Sequence, residues 1–175
     1  MATGQPLGTE PEILEMPPQK MATVYAKGPP EEMLARVLPD LYSSVHILNI
    51  EREKRGLSTF TVSGPRVRYP DAHLVPVKEW MNVIGIPIPE TTSSLPQKVG
   101  GNVIQIETWE YGTVAQIFHH GQHDNVVTSI RRLYRYIRDN DYDIVGVHEE
   151  EHLALTEDEN RGVLLRYRVM KKRPH

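Results

Sequence analysis

The run His148-Glu149-Glu150-Glu151-His152 carries a dense set of groups that could do chemistry. Taken literally it fits H-E-x-x-H, in which two histidines one helical turn apart ligate zinc and the glutamate serves as base. That mechanism needs a helix, because both histidines must leave one helical face. Here Ile144-Val145-Gly146-Val147 leads in as a strand, and Leu153 and Leu155 continue an alternation. Read with a period of two, His148, Glu150 and His152 share one face, while Val147, Glu149, Glu151, Leu153 and Leu155 share the other. With the leucines set against helices, Glu150 is expected to point away from them into a concave cleft. A carboxylate there can attract a lipophilic cation by charge and by the quadrupole of nearby rings. Desolvation would also raise its pKa and prepare it as a general acid or base, with His148 and His152 sharing the proton work.

Flat apolar walls for such a site must come from a small supply, since aromatics are only 7% of the chain and Trp80 and Trp109 are its only tryptophans. Trp80, Trp109, Tyr111, Tyr25 and Phe60 are the candidate ligand-binding aromatics, weighed against ordinary core or sheet-face packing. A second histidine group, His119, His120 and His123, lacks a local carboxylate or thiolate to complete a metal set, and reads as loop histidines near a helix start. Arg131, Arg132, Arg135 and Arg138 fall on one helix face beside acidic loops at 139–143 and 149–159, which reads as a solvated face rather than a nucleic-acid site. No metal and no cofactor is expected.

The elements that must position these residues form a repeat. Met21-Ala-Thr-Val-Tyr-Ala-Lys-Gly28 is an apolar strand closed by glycine and followed by a helical stripe ending in Leu41-Tyr42. Val114-Ala-Gln-Ile-Phe-His-His-Gly121 does the same and ends in Leu133-Tyr134. The spacing predicts a first helix over about 31–48 with the stripe Leu34, Val37, Leu38, Leu41, Val45 and Leu48, kinked or divided at Leu38 by Pro39. A second helix is expected from an Asp124 N-cap, burying Val126, Val127, Ile130, Leu133, Tyr134 and Ile137. Strand candidates follow each helix: 57–67 and 74–88, then 144–155 and 162–170. Each copy therefore reads strand, helix, strand, strand. The expected fold is α+β, with both helices on one face of a largely antiparallel sheet and the ligand cleft between the two halves on the other.

Whole-chain quantities fit one such domain. The chain has 175 residues, 39% hydrophobic before 12 glycines are added, so a core can be built. Twenty Lys and Arg oppose 23 Asp and Glu for a net charge of -3, too balanced for general binding to nucleic acid or an anionic membrane. With 0 Cys, disulfides, thiolate nucleophiles and thiolate metal sites are excluded. No apolar run approaches the roughly 18 residues that span a bilayer, and the start lacks signal-peptide character, so a cytoplasmic location is the expectation. Residues 1–10 and the basic tail 171–175 are expected to be mobile, leaving a single domain over 11–170 with half-repeats near 11–90 and 100–170.

The chain resembles the GyrI-like small-molecule-binding family, which is similar to the effector-binding domains of multidrug-sensing transcription regulators. Pro17 to Pro30 resembles the family's first strand and glycine-proline turn, Gly85-Ile86-Pro87-Ile88-Pro89 the end of its third strand, and the repeat order is the family's own. His120-Gly121 followed by Leu133-Tyr134 resembles its His-Gly turn and Leu-Tyr pair. Glu150-Glu151-His152-Leu153 stands in place of a Glu-x-Tyr-Leu signature, which carries the family's cleft glutamate onto Glu150, with His152 where tyrosine is usual. The resemblance implies a stand-alone binding domain for hydrophobic or cationic drug-like molecules. The alternative it implies is a metal-independent hydrolase that opens reactive cyclopropane rings of DNA-alkylating natural products, a detoxification role with Glu150, His148 and His152 as catalytic groups. A protein partner is a further reading.

Overall fold

The computed structural model describes residues 10–121, 126–154 and 161–174; the expected Asp124 cap, His123 and Leu155 lie outside them. In chain order the elements are β1 (Glu12–Met16), β2 (Gln19–Lys27), α1 (Pro30–Lys54), β3 (Arg66–Tyr69), β4 (Met81–Pro87), β5 (Gln105–Trp109), β6 (Gly112–His120), α2 (Val126–Asp139), β7 (Tyr142–Ile144), β8 (His148–Ala154) and β9 (Arg161–Lys171). They group into two compact units, one of residues 18–110, the other of residues up to 17 together with 111 onward. The class is α+β, and every strand pair within the units is antiparallel.

In the 18–110 unit the strands run β3-β4-β2-β5 and α1 covers one face. Period-two alternation sends Ala22, Val24, Val67, Ile84 and Ile86 to that face, where they meet Met33, Val37, Leu41, Val45 and Leu48. Helix α1 is longer than its stripe indicates, opening with Pro30 in its first turn and Glu31 and Glu32 beside it, and closing on Arg52 and Lys54. Pro39 does not divide it. Both Pro39 and Ala35, whose carbonyl loses its partner to the proline, lie on the exposed face, where water can replace the missing bond. The expected strand at 57–67 contracts to β3, and that at 74–88 to β4 after a 3-10 turn over Val77–Glu79. The segment before β3 is instead held to α1 by its polar groups: Asn49 exchanges side-chain hydrogen bonds with the Phe60 backbone at 2.7 and 3.0 Å.

The second unit orders its strands β1-β6-β9-β8, with β7 also paired to β9, and α2 covers one face. Leu133 and Ile137 of α2 meet Ala115, Ile117, Val163, Leu165, Tyr167 and Val169. Val127 and Tyr134, expected in the buried stripe, are 54% and 45% exposed, because the described helix rotates only the Val126, Ile130, Leu133 and Ile137 edge inward. The four arginines of α2 are exposed, as a solvated face requires. The repeat glycines Gly28 and Gly121 both end their strands at positive φ, 150° and 98°, a backbone region that side chains with a Cβ rarely adopt.

Besides the short β7, which reaches back into the expected acidic loop at 139–143, two strands have no counterpart in the expected halves. β1 pairs with β6 rather than with the strand that follows it, and β5 pairs back to β2. Each repeat's opening strand is thus flanked by the segment that precedes the other repeat in the chain.

Candidate functional site

Strand β8 is the centre of the candidate site, and its being a strand removes the helix that zinc ligation by His148 and His152 would need. Among the described residues no group of three or more His, Cys, Asp or Glu side chains is arranged to hold a metal. The register of β8 on β9 sets Glu150 opposite Leu165 and His152 opposite Val163, and antiparallel partners project to the same side. Leu165 and Val163 face α2, so Glu150, His148 and His152 lie on the helix-covered face. This reverses the orientation expected from Leu153. Leu153 is opposite Gly162, where an added Cβ would run into the Phe118 ring, so the face away from α2 has apolar cover of its own. β6 and β9 are buried along nearly their whole length on both faces, and a strand pair covered on both sides gives alternation no grip.

On the α2 face Glu150 is 4% exposed. One carboxylate oxygen, Oε1, lies 2.9 Å from His148 Nε2, and Oε2 lies 4.0 Å from His152 Nε2. His148 Nδ1 lies 2.6 Å from the Tyr167 hydroxyl, which in turn lies 3.0 Å from the Tyr134 hydroxyl on α2. Carboxylate, imidazole and two phenols therefore form one hydrogen-bonded chain from a buried strand to a half-exposed helix residue. Burial, then the Tyr134 hydrogen bond and nearby negative charge, including that of Glu150, hold the Tyr167 hydroxyl far above the ordinary phenol range. It is protonated at every working pH.

The opposite face carries a different kind of carboxylate. Glu149 is 2% exposed and binds Arg166 Nη1 at 2.6 Å while accepting the Tyr111 hydroxyl at 3.0 Å. Arg166 also donates to Gln116 at 3.0 Å and lies 3.4 Å from Glu151. Its guanidinium carbon sits 5.7 Å from the centre of the Tyr111 ring. Glu149 has the Arg166 guanidinium beside it, and Glu150 has the imidazoles of His148 and His152.

The aromatics expected as walls around Glu150 have these partners, each within its own unit. Tyr111 belongs to the same unit but serves Glu149 on the far face. Tyr25, Phe60, Trp80 and Trp109 belong to the 18–110 unit. There Trp80 packs on Tyr69 and donates its indole N–H to the Val75 carbonyl, and Phe60 packs against the α1 core. Trp109 lies against Gly85 under the Arg68 guanidinium, 4.3 Å from its carbon, and Tyr25 donates to Glu107 at 2.7 Å. Within its own unit, Tyr167 and Tyr134 are joined to Glu150 through His148. Tyr167 was readable as a ring on the Val163, Leu165, Val169 face of β9; its meeting with His148 depends on register, which no local pattern encodes. His119 ends β6, buried, with Nδ1 2.7 Å from the Ser129 hydroxyl, rather than sitting in a loop.

The chain belongs to the GyrI-like small molecule binding domain family, whose sequence profile matches residues 9–163. Among solved structures it is similar to an uncharacterized conserved protein from Listeria innocua, with a TM-score of 0.81 at 15% identity over 94% of both chains. It is similar also to a hydrolase from Listeria innocua, with a TM-score of 0.75 at 15% identity over 94% of both. A third neighbour is the EcmrR C-terminal domain, with a TM-score of 0.65 at 14% identity over 93% of this chain and 98% of that one. At these identities the likeness concerns the fold. No curated protein gives a significant sequence match. No described helix is long and apolar enough to cross a membrane.

Proposed function

We propose that this domain binds lipophilic, cationic small molecules, with Glu150 as the anion that recognises them. The observation that supports this reading is Glu150 itself, a carboxylate only 4% exposed on β8 of a small-molecule-binding domain, with His148 and His152 at 2.9 and 4.0 Å. In a partly dry site a carboxylate gains several kcal/mol from a cation before its own desolvation is subtracted, far more than in bulk water. Thermal-shift screening of lipophilic cations against uncharged compounds of matched size tests it: cations are expected to dominate the stabilising hits, and a hit list without charge preference would contradict it.

The hydrolase reading is favoured by a separate observation, the chain Glu150–His148–Tyr167–Tyr134, which holds a base and proton donors in one line. Opening a strained ring by water needs a base to take a proton from the water and an acid to protonate the departing carbon or its conjugated oxygen. Glu150 with His148 can hold the first proton and supply the second. Incubating the protein with a cyclopropane-containing alkylator and following mass for addition of water separates the two. A hydrated product that disappears in Glu150→Ala supports turnover; stoichiometric protection without it supports binding alone.

A further inference from the structure

We propose that β1 is an exchangeable strand, which leaves its own β6 to pair with the β6 of a second copy of this chain, so that each copy of the resulting dimer supplies Glu12 to the other. By its contacts β1 belongs with residues 111 onward, yet the chain joins it through Pro17 and Pro18 to β2 of the 18–110 unit. No short covalent link ties Glu12–Met16 to the strand it pairs with, since the whole 18–110 unit intervenes in sequence. What holds β1 is a ladder with one strand, Glu12 to Met16 set against Gln116 to Gly112. The side chains follow the same pattern. Ile13 packs against the core that Ala115 shares with α2, Thr113 donates to Glu15, and Gln116 donates to Glu12 at 2.8 Å. A second copy offers each of these partners in identical form.

Exchange of such a segment keeps its contacts and changes only the connection, so the balance rests on the hinge and on concentration. The hinge suits it. Pro17 and Pro18 are both exposed and have no N–H to lose from a ladder, and Met16 and Pro17, each followed by a proline, are kept extended. A hairpin hinge must unfold from a turn before its strand can reach another molecule; this one is extended already. Opening breaks one ladder of five residues and leaves β6 paired to β9, so the unit need not unfold. The exchanged strand also carries a group into the buried charge network. Glu12 accepts from Gln116, whose amide oxygen accepts from Arg166 Nε at 3.0 Å, and Arg166 binds Glu149 at 2.6 Å. In the dimer the carboxylate that fixes the Gln116 amide comes from the other copy.

The chain has 0 Cys, so introduced thiols report without background. Glu15→Cys and Thr113→Cys stand at facing positions of the β1–β6 pair, and neither residue belongs to the α2 core. The two single variants are unfolded together in reductant, refolded at low and at high protein concentration, oxidised, and read by non-reducing electrophoresis, peptide mass mapping and light scattering. The expected result is a disulfide joining position 15 of one chain to position 113 of the other, in a species of twice the monomer mass whose yield rises with concentration. The double variant, with both thiols in one chain, should close within the chain at low concentration and so show that the positions are in reach. Closure there, with no link from 15 to 113 between the single variants at any concentration, overturns the proposal. Links that join 15 to 15 or 113 to 113 also overturn it, because they put another surface at the interface. Wild type that stays monomeric by light scattering at every concentration after refolding overturns it whatever the disulfides do.

Discussion

At the scale of single residues, the two faces of β8 present one side chain type in two electrostatic settings. Glu149 and Arg166 are 2% and 3% exposed, and such a pair is strongly destabilising to break because the survivor is left as an uncompensated buried charge. Arg166→Met is therefore expected to lower unfolding free energy by about 3–5 kcal/mol. Adding Glu149→Gln should recover part of that loss, as chemical denaturation of the single and double variants would show. Recovery is the discriminating outcome, since a merely steric role for Arg166 predicts additive losses. The sequence made His148, Glu150 and His152 stand out correctly as a same-face trio. It could not say which face, because Leu153 finds apolar company beside Phe118 and Gly162 while Glu150 finds polar company under α2.

Among the elements, α1 shows how far exposure softens a local rule. Pro39 removes one helical hydrogen bond, yet the helix continues through it because the orphaned carbonyl faces water. Pro39→Ala restores the donor and is expected to raise stability by about 1–3 kcal/mol, less whatever the proline contributes by stiffening the unfolded chain. A fall in melting temperature would show that Pro39 serves another purpose. The same helix anchors a distant loop: Asp40 accepts from the Asn102 backbone at 2.9 Å and its side chain at 2.8 Å, and Lys98 lies 3.8 Å away. These donors, the Asn102 backbone first, hold the Asp40 carboxyl below its ordinary range. A folded-state pKa below the unfolded one gives stability that is present above the unfolded value near pH 4 and lost as pH falls through the folded one. Asn102→Ala removes the side-chain bond and keeps the backbone one, so it should reduce the acid sensitivity of unfolding below about pH 4 in part and bring the Asp40 titration, followed by NMR, part of the way back toward the ordinary carboxylate range. An unmoved titration would contradict it.

For the molecule as a whole, the repeat was legible because its glycines and Leu-Tyr pairs recur at nearly constant offset, and both glycines prove to sit at positive φ. The long strands and both helices followed from it. β1 and β5 escaped because what defines them is a partner far along the chain: Glu12–Met16 lies against β6, about a hundred residues on, and short edge segments carry little pattern. Deleting residues 1–17 would bare the β6 edge, and the truncated chain is expected to unfold more easily and to self-associate, as denaturation and light scattering would report. Retention of full stability would mean β1 is dispensable. A ring's period gives its face and not the neighbour across the sheet. Tyr167 and Tyr134 came to Glu150 through strand register and helix packing. The account turns on the charge of that one carboxylate, so the decisive measurement is the affinity of tetraphenylphosphonium and of the uncharged triphenylphosphine oxide for the wild type and for Glu150→Gln, by titration calorimetry at pH 8. The account predicts that the substitution weakens cation binding by about tenfold or more and changes the neutral compound by less than about twofold. Equal effects on both ligands, or cation binding that survives intact, would contradict it.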